Sequence, residues 1–294
     1  VAAPPGLKTM SRNLLNLGLF VTVALLAAVV IWEPGQQQGV TGKPLSSLQA
    51  DDIQRIHVQR DGLQDVQLQK QEGNWQMLAP YRVDADNTRV RALLRLADAT
   101  SHASFSAGDR RLADFGLAPA RAQVRFDDSL FQFGGLEHIS KRRYVLLDGT
   151  IHLITDLFYH QLRTSATQFV SPRLFSPTQR ITRLLLADRQ YAQQHDGSWL
   201  VTPAADSVSA DQLNEFIEHW QRLRASRVSS ADEQGGKEQV SIELADGSKL
   251  VFEIVRSENE VVFTRRDLGL QYHVPVETAE ALFALPKPNA PEQN

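Results

Sequence analysis

Two stretches of the chain carry the same order of hydrophobic segments, and this repetition limits the folds open to it more than any single residue does. The first stretch opens with Ile53, Ile56 and Val58, continues through Val66 and Leu68, turns at Gly73-Asn74 and runs into Trp75, Met77 and Pro80. The second opens with Ile181, Leu184 and Leu186, continues through Gln190–Gln193, turns at Gly197-Ser198 and runs into Trp199, Val201 and Pro203. Trp75 and Trp199 lie 124 residues apart. After each comes an amphipathic segment: Val90, Leu93, Leu94 and Ala97 behind an Asp86 N-cap, then Leu213, Phe216, Ile217 and Trp220 behind Ser209. The two faces align at an offset of 123, so a single-residue gap reconciles both halves of the match.

Four alternating runs follow each helix. They are Gln123–Phe126, Leu130–Phe133, Arg143–Leu147 and Ile151–Ile154 in the first stretch, and Val240–Leu244, Leu250–Val255, Val261–Arg265 and Gln271–Val274 in the second. Asp148-Gly149 and Asp246-Gly247 between such runs are hairpin signals, so antiparallel meanders are expected. A short helix closes each stretch, over Asp156–Leu162 and, behind Pro275, over Val276–Leu285. The expected fold is therefore α+β, a tandem repeat of a β-β-β-α-β-β-β-β-α unit with antiparallel sheets, the first copy at 48–170 and the second at 171–285. Trp75, Pro80, Trp199 and Pro203 read as the core anchors of the copies.

Upstream, Leu14–Trp32 holds 19 residues without a charge, enough for about 28 Å of helix and hence for a bilayer. The bulky residues at its end, Val29-Val30-Ile31-Trp32, argue for an uncleaved transmembrane helix over a signal peptide. Lys8 and Arg12 precede the run and no acidic residue occurs before Glu33, which predicts a cytoplasmic stub at 1–13 and export of everything after the span. Met10 reads as a natural start, with Val1–Thr9 upstream of it. Gly18, Thr22, Ala24 and Ala28 put small residues along the span, a pattern suited to helix packing in the membrane. Residues 33–47 read as a linker and 286–294 as a disordered tail.

Chemistry leaves few marks. The chain has no Cys, which removes thiol nucleophiles, disulfides and Cys-based metal sites. A net charge of -3 gives no bulk basic field for nucleic acid. Eight scattered His form no HxH or HxxxH pair, and no nucleophile elbow, HExxH or complete phosphate loop occurs. We therefore expect no catalytic, cofactor-binding or metal-binding residues and a non-enzymatic protein. The dense basic run Lys141-Arg142-Arg143 reads as a charged turn before a strand, with Arg143 facing solvent, and as a surface open to an acidic partner.

The anchor, the two Trp-to-Pro segments before helices, and the stretch Leu112-Ala-Asp-Phe115-Gly116-Leu117-Ala-Pro119 together resemble the bacterial domain-of-unknown-function 4340 family over nearly all of residues 45–285. The second copy departs from the pattern, having only Gly235-Gly236 where the first has Phe115-Gly116-Leu117. Members are often encoded beside gliding-motility-type ABC transporter components. The resemblance implies an accessory role in such a complex; with the span and its flanking charges, the expectation is a single-pass inner-membrane protein of a Gram-negative bacterium whose periplasmic domain is an accessory or scaffold subunit of an ABC-type complex, with permease, ATPase and auxiliary periplasmic subunit as partners. The rival expectation is a periplasmic binding module for a lipid, glycan or peptidoglycan fragment between the two copies.

Overall fold

The computed structural model describes residues 20–23, 42–204, 208–233 and 235–284, and those from Pro44 onward form one compact unit. Its first sheet is built from β1 (Arg55–Arg60), β2 (Val66–Gln71), β3 (Asn74–Ala79), β4 (Val83–Asp84), β5 (Ala103–Ser106), β6 (Ala122–Phe126), β7 (Ser129–Leu136), β8 (Arg143–Leu147) and β9 (Thr150–Ile154). The second is built from β10 (Ile181–Leu185), β11 (Gln190–Gln193), β12 (Trp199–Thr202), β13 (Arg227–Ser230), β14 (Glu238–Leu244), β15 (Lys249–Arg256), β16 (Glu260–Arg265) and β17 (Leu270–Pro275). In space the nine strands run β4-β3-β2-β1-β6-β7-β8-β9-β5 and the eight run β12-β11-β10-β14-β15-β16-β17-β13, with every pairing antiparallel. Helices α1 (Asn87–Leu94) and α2 (Leu157–Leu162) belong to the first half, α3 (Ala210–Gln221) and α4 (Val276–Phe283) to the second.

The chain is thus α+β with two large antiparallel sheets, but the expected β-β-β-α-β-β-β-β-α unit is not what is built. A further strand follows the first helix of each half, β5 and β13, and crosses to the far edge of its sheet; the first half also adds β4. These strands carry no alternating signal. Ala103-Ser-Phe-Ser106 and Arg227-Val-Ser-Ser230 have one large apolar residue each, and edge strands need bury only one face against one neighbour.

The expected transmembrane helix is a second correction. Of residues 14–32 only Phe20–Val23 are described; they are helical and exposed, Thr22 among them, while Gly18, Ala24 and Ala28 lie outside the described residues. Among the described residues no helix is long and apolar enough to cross a membrane. The single-pass inner-membrane topology, the periplasmic location and the transporter partners reached through that helix are accordingly withdrawn. The expected tail at 286–294 also lies outside the described residues.

Helix ends follow their local chemistry. Asp86 caps α1 by accepting from the Thr88 N–H at 2.8 Å, and Ser209 and Gln212 exchange side chain and backbone hydrogen bonds in a capping box at α3. Val90, Leu93 and Leu94 of α1 and Leu213, Phe216, Ile217 and Trp220 of α3 face inward, into one hydrophobic core that takes the inner faces of both sheets. Trp220 is fully buried, its indole N–H donates to the Leu282 carbonyl at 3.1 Å, and its ring meets Phe263 edge-on at 6.0 Å.

A smaller cluster on the first sheet explains the Phe115-Gly116-Leu117 stretch. Leu112–Phe115 form a 3-10 turn ending in Gly116 at φ +66, and Phe115 packs against Phe105 and Tyr144 at 5.6 and 5.1 Å. The turn lies so close to β7 that a Cβ on Gly134 would sit 2.4 Å from the Phe115 carbonyl oxygen, and one on Gly116 would sit 2.9 Å from the Gly135 nitrogen. Both glycines are required by backbone approach, Gly116 also by its left-handed φ.

Arg143 corrects the reading of the basic run. It pairs with Leu136 and Ile154 in register, and Ile154 belongs to the core, so strand alternation turns Arg143 inward. It is 3% exposed, forms an ion pair with Asp156, donates to the Gly134 carbonyl at 2.6 Å and lies 3.6 Å over the Tyr159 ring. Lys141 remains exposed and Arg142 half-exposed.

Two predictions follow from this packing. Arg143→Ala leaves Asp156 without its buried counter-charge and should lower unfolding free energy in urea by about 3–5 kcal/mol, whereas an Arg163→Ala exchange should change it by less than about 0.5 kcal/mol. Gly134→Ala should cost about 1–3 kcal/mol by overpacking, measured the same way; wild-type stability in that variant would contradict the contact with Phe115.

Candidate functional site

The segment 166–181 joins the two halves, and its apolar residues decide its course. Phe169, Val170, Leu174 and Phe175 are buried in the shared core. Its backbone is bonded to both sides. Asp86 N–H donates to Phe169 and Ser171 N–H to Asp84, each at 2.8 Å, on the first half; Ala225 N–H donates to Pro172 at 2.8 Å and Leu174 N–H to Leu223 at 3.3 Å on the second. Gln221 then fastens the exit, accepting from Ile181 N–H at 3.0 Å and donating to the Gln179 carbonyl at 2.9 Å.

This strapping sets Arg173 directly opposite Arg224 in an antiparallel bridge. Like charges in that position repel. Both side chains are exposed, and among the described residues neither has a carboxylate within ion-pair distance. Arg180 is held by backbone carbonyls alone, donating to Pro177 at 2.6 Å and Gln179 at 2.9 Å. Arg222 is neutralised by Glu218 at 2.9 Å across one helical turn.

Clefts open on either side of the strap. One, of about 690 Å³, is lined by Arg173, Arg180, Gln193, Trp199, Asn214 and the Arg222–Glu218 pair. Among the described residues its only carboxylate is the one already matched, so Arg173 and Arg180 leave it cationic. The other, of about 470 Å³, is lined by Arg91, Arg173 and Arg224 but also by Glu72, Asp84 and Asp86. Asp86 is committed to the helix cap, and Asp84 accepts from Gln76 Nε2 at 2.5 Å. Tyr272 borders a third recess of about 220 Å³ with Arg82 and Arg265; burial pushes its hydroxyl up to about 12, so it stays neutral there.

Trp75 is buried in the core, whereas Trp199 is half-buried and forms a wall of the 690 Å³ cleft. Pro80 and Pro203 are exposed, each following a cis peptide bond. Lys141 and Arg142 sit on the hairpin between β7 and β8. Next to them Ile139 is 92% exposed, and Glu137 accepts from the N–H groups of Ile139 at 3.0 Å and Ser140 at 2.5 Å. Those bonds hold its carboxyl down at about 2. His102 is shifted below its ordinary value by burial, with the Arg142 charge adding to it.

A second arrangement is one that no sequence motif marked. On the outer face of the second sheet, His273 of β17 lies between Ser229 of β13 and Glu260 of β16. Its Nδ1 is 2.9 Å from Glu260 Oε1 and its Nε2 is 2.8 Å from Ser229 Oγ. Arg227 reaches the same group, with Nη1 3.1 Å from His273 Nε2 and Nη2 3.2 Å from Glu260 Oε1. His273 is 6% exposed. Residues 229, 260 and 273 are too far apart in sequence for spacing to join them; only the pairing of three strands does. Among the described residues no group of three or more His, Asp or Glu is placed to hold a metal ion.

No curated protein and no solved structure matches the chain. A family model described as a domain of unknown function, DUF4340, matches residues 75–242, which takes in most of the first sheet, the whole strap, α3 and the beginning of β14. That description carries no activity, partner or location, so the expected accessory role in an ABC-type complex and its rival, the periplasmic binding module, find no support in it and are withdrawn. On the extent of this match the chain belongs to the DUF4340 family.

Proposed function

We propose that the chain is a protein-interaction module whose strap cleft receives an acidic segment of a partner protein. The observation that carries this reading is the pair Arg173–Arg224, two arginines opposed across a bridge with, among the described residues, no carboxylate within ion-pair distance of either. A free protein bears the repulsion of such a pair; a bound carboxylate removes it. Arg173 lines both clefts and Arg224 the smaller one, while Arg180 extends the cationic lining into the larger cleft, where the half-buried Trp199 offers an apolar wall for the side chains between acidic residues. The strap fixes the backbone from which Arg173 projects, and each guanidinium presents its donors in a planar fork, which favours bidentate contact with carboxylates.

The proposal makes a paired expectation. Arg224→Glu places opposite charges across the bridge and should stabilise the free protein by about 0.2–1 kcal/mol, measured by urea unfolding. The same variant should lose, by about tenfold or more, binding of a fluorescent Glu- and Asp-rich 12-residue peptide, whose affinity for the wild type should fall as salt is raised from 50 to 500 mM. Unchanged peptide affinity in Arg224→Glu, or no binding by the wild type at low salt, would contradict the assignment.

A further inference from the structure

We propose that Ser229 is a nucleophile activated by His273 and Glu260, giving the second sheet an esterase-type acyl-transfer site separate from the strap cleft. Glu260 as a carboxylate can only accept, so the 2.9 Å contact with Nδ1 assigns the imidazole proton to Nδ1. Nε2 is then left with its lone pair toward Ser229 Oγ at 2.8 Å, the arrangement a general base needs to take a hydroxyl proton. Arg227 supports the same tautomer. Its guanidinium can only donate, so at 3.1 Å from Nε2 it faces a lone pair in place of a second N–H and, in the free protein, shares that single lone pair with the Ser229 hydroxyl.

The placement differs from a buried structural ladder in two respects. Ser229 lies on the edge strand β13, half-exposed, and the Arg227 side chain is 54% exposed, so a substrate carbonyl can approach both from solvent. His273, by contrast, is enclosed, and its ring is held from both ends. In the reaction Ser229 Oγ bonds to the carbonyl carbon of an ester while its proton passes to His273 Nε2. Arg227, whose side chain is 54% exposed, turns from Nε2 to the oxyanion that forms, which frees the Nε2 lone pair for the serine proton and offers N–H donors and positive charge to the oxyanion. The ester C–O bond breaks as Nε2 returns the proton to the departing alcohol. Water then repeats the sequence on the acyl-serine, releasing a carboxylic acid and restoring Ser229.

The test treats the full chain with a fluorophosphonate probe and maps the adduct by peptide mass spectrometry. The Oγ–P bond forms as the P–F bond breaks, with the proton leaving as HF. One adduct at Ser229 is expected, absent in Ser229→Ala and formed at least tenfold more slowly in Glu260→Gln and His273→Gln. Circular dichroism checks that each variant is folded. The proposal is overturned if folded wild-type protein gains no adduct at Ser229, or if a folded His273→Gln or Glu260→Gln variant labels at the wild-type rate, as a merely polar cross-strand ladder would allow. Peptide binding at the strap cleft is a separate readout, so either assignment can fail alone.

Discussion

The strap between the sheets must do two things at once: bury Phe169, Val170, Leu174 and Phe175 in a core shared by both halves, and satisfy its own backbone on the way. Each buried N–H or C=O left unpaired would cost free energy comparable to a lost hydrogen bond. The strap avoids that cost by bonding to Asp84 and Asp86 on one side and Leu223 and Ala225 on the other. Once those bonds are in place, the side chains between the buried positions have no freedom about where they emerge. Arg173 faces outward between Pro172 and the buried Leu174, and it meets Arg224 there. The cationic cleft is therefore a consequence of how the two sheets are joined.

Burial also decides the fate of the other charges. Arg143 and Arg173 both stand on backbone that packs against the core, yet one is enclosed with Asp156, Tyr159 and the Gly134 carbonyl and the other is exposed with no ion-pair partner among the described residues. A guanidinium taken out of water needs its donors used and its charge matched. Arg143 has both needs met by groups on β7, the loop after β9 and α2. Arg173 has neither met within the described residues, which is why it reads as a surface for something else.

Much of the fold was legible because it rests on short-range rules. The caps at Asp86 and Ser209, the apolar faces of α1 and α3, and the four-strand meanders all follow from periodicity and turn chemistry. The edge strands β5 and β13 were not legible, since residues such as Ser104, Ser106, Ser229 and Ser230 look like loop residues until a neighbouring strand pairs with their backbone. Register was the second obstacle. Arg143 turns inward because of where Ile154 and Leu136 fall beside it, a relation across strands that its own neighbours in sequence do not encode. The same holds for both candidate sites: Arg173 and Arg224, like Ser229, Glu260 and His273, are brought together only by pairing. Trp199 matched Trp75 in sequence, and each borders one of the two clefts, but Trp75 is buried in the core while Trp199 is only half-buried against it.

If the strap unites the sheets, its amides should be among the last to open. Native-state hydrogen exchange read at Ser171, Leu174 and Ala225, whose N–H groups donate to Asp84, Leu223 and Pro172, tests this most directly. The account predicts that these amides exchange with the same free energy of opening as core amides of β8 and β16, through global unfolding. Rapid exchange of the strap amides while both sheets remain protected would contradict it.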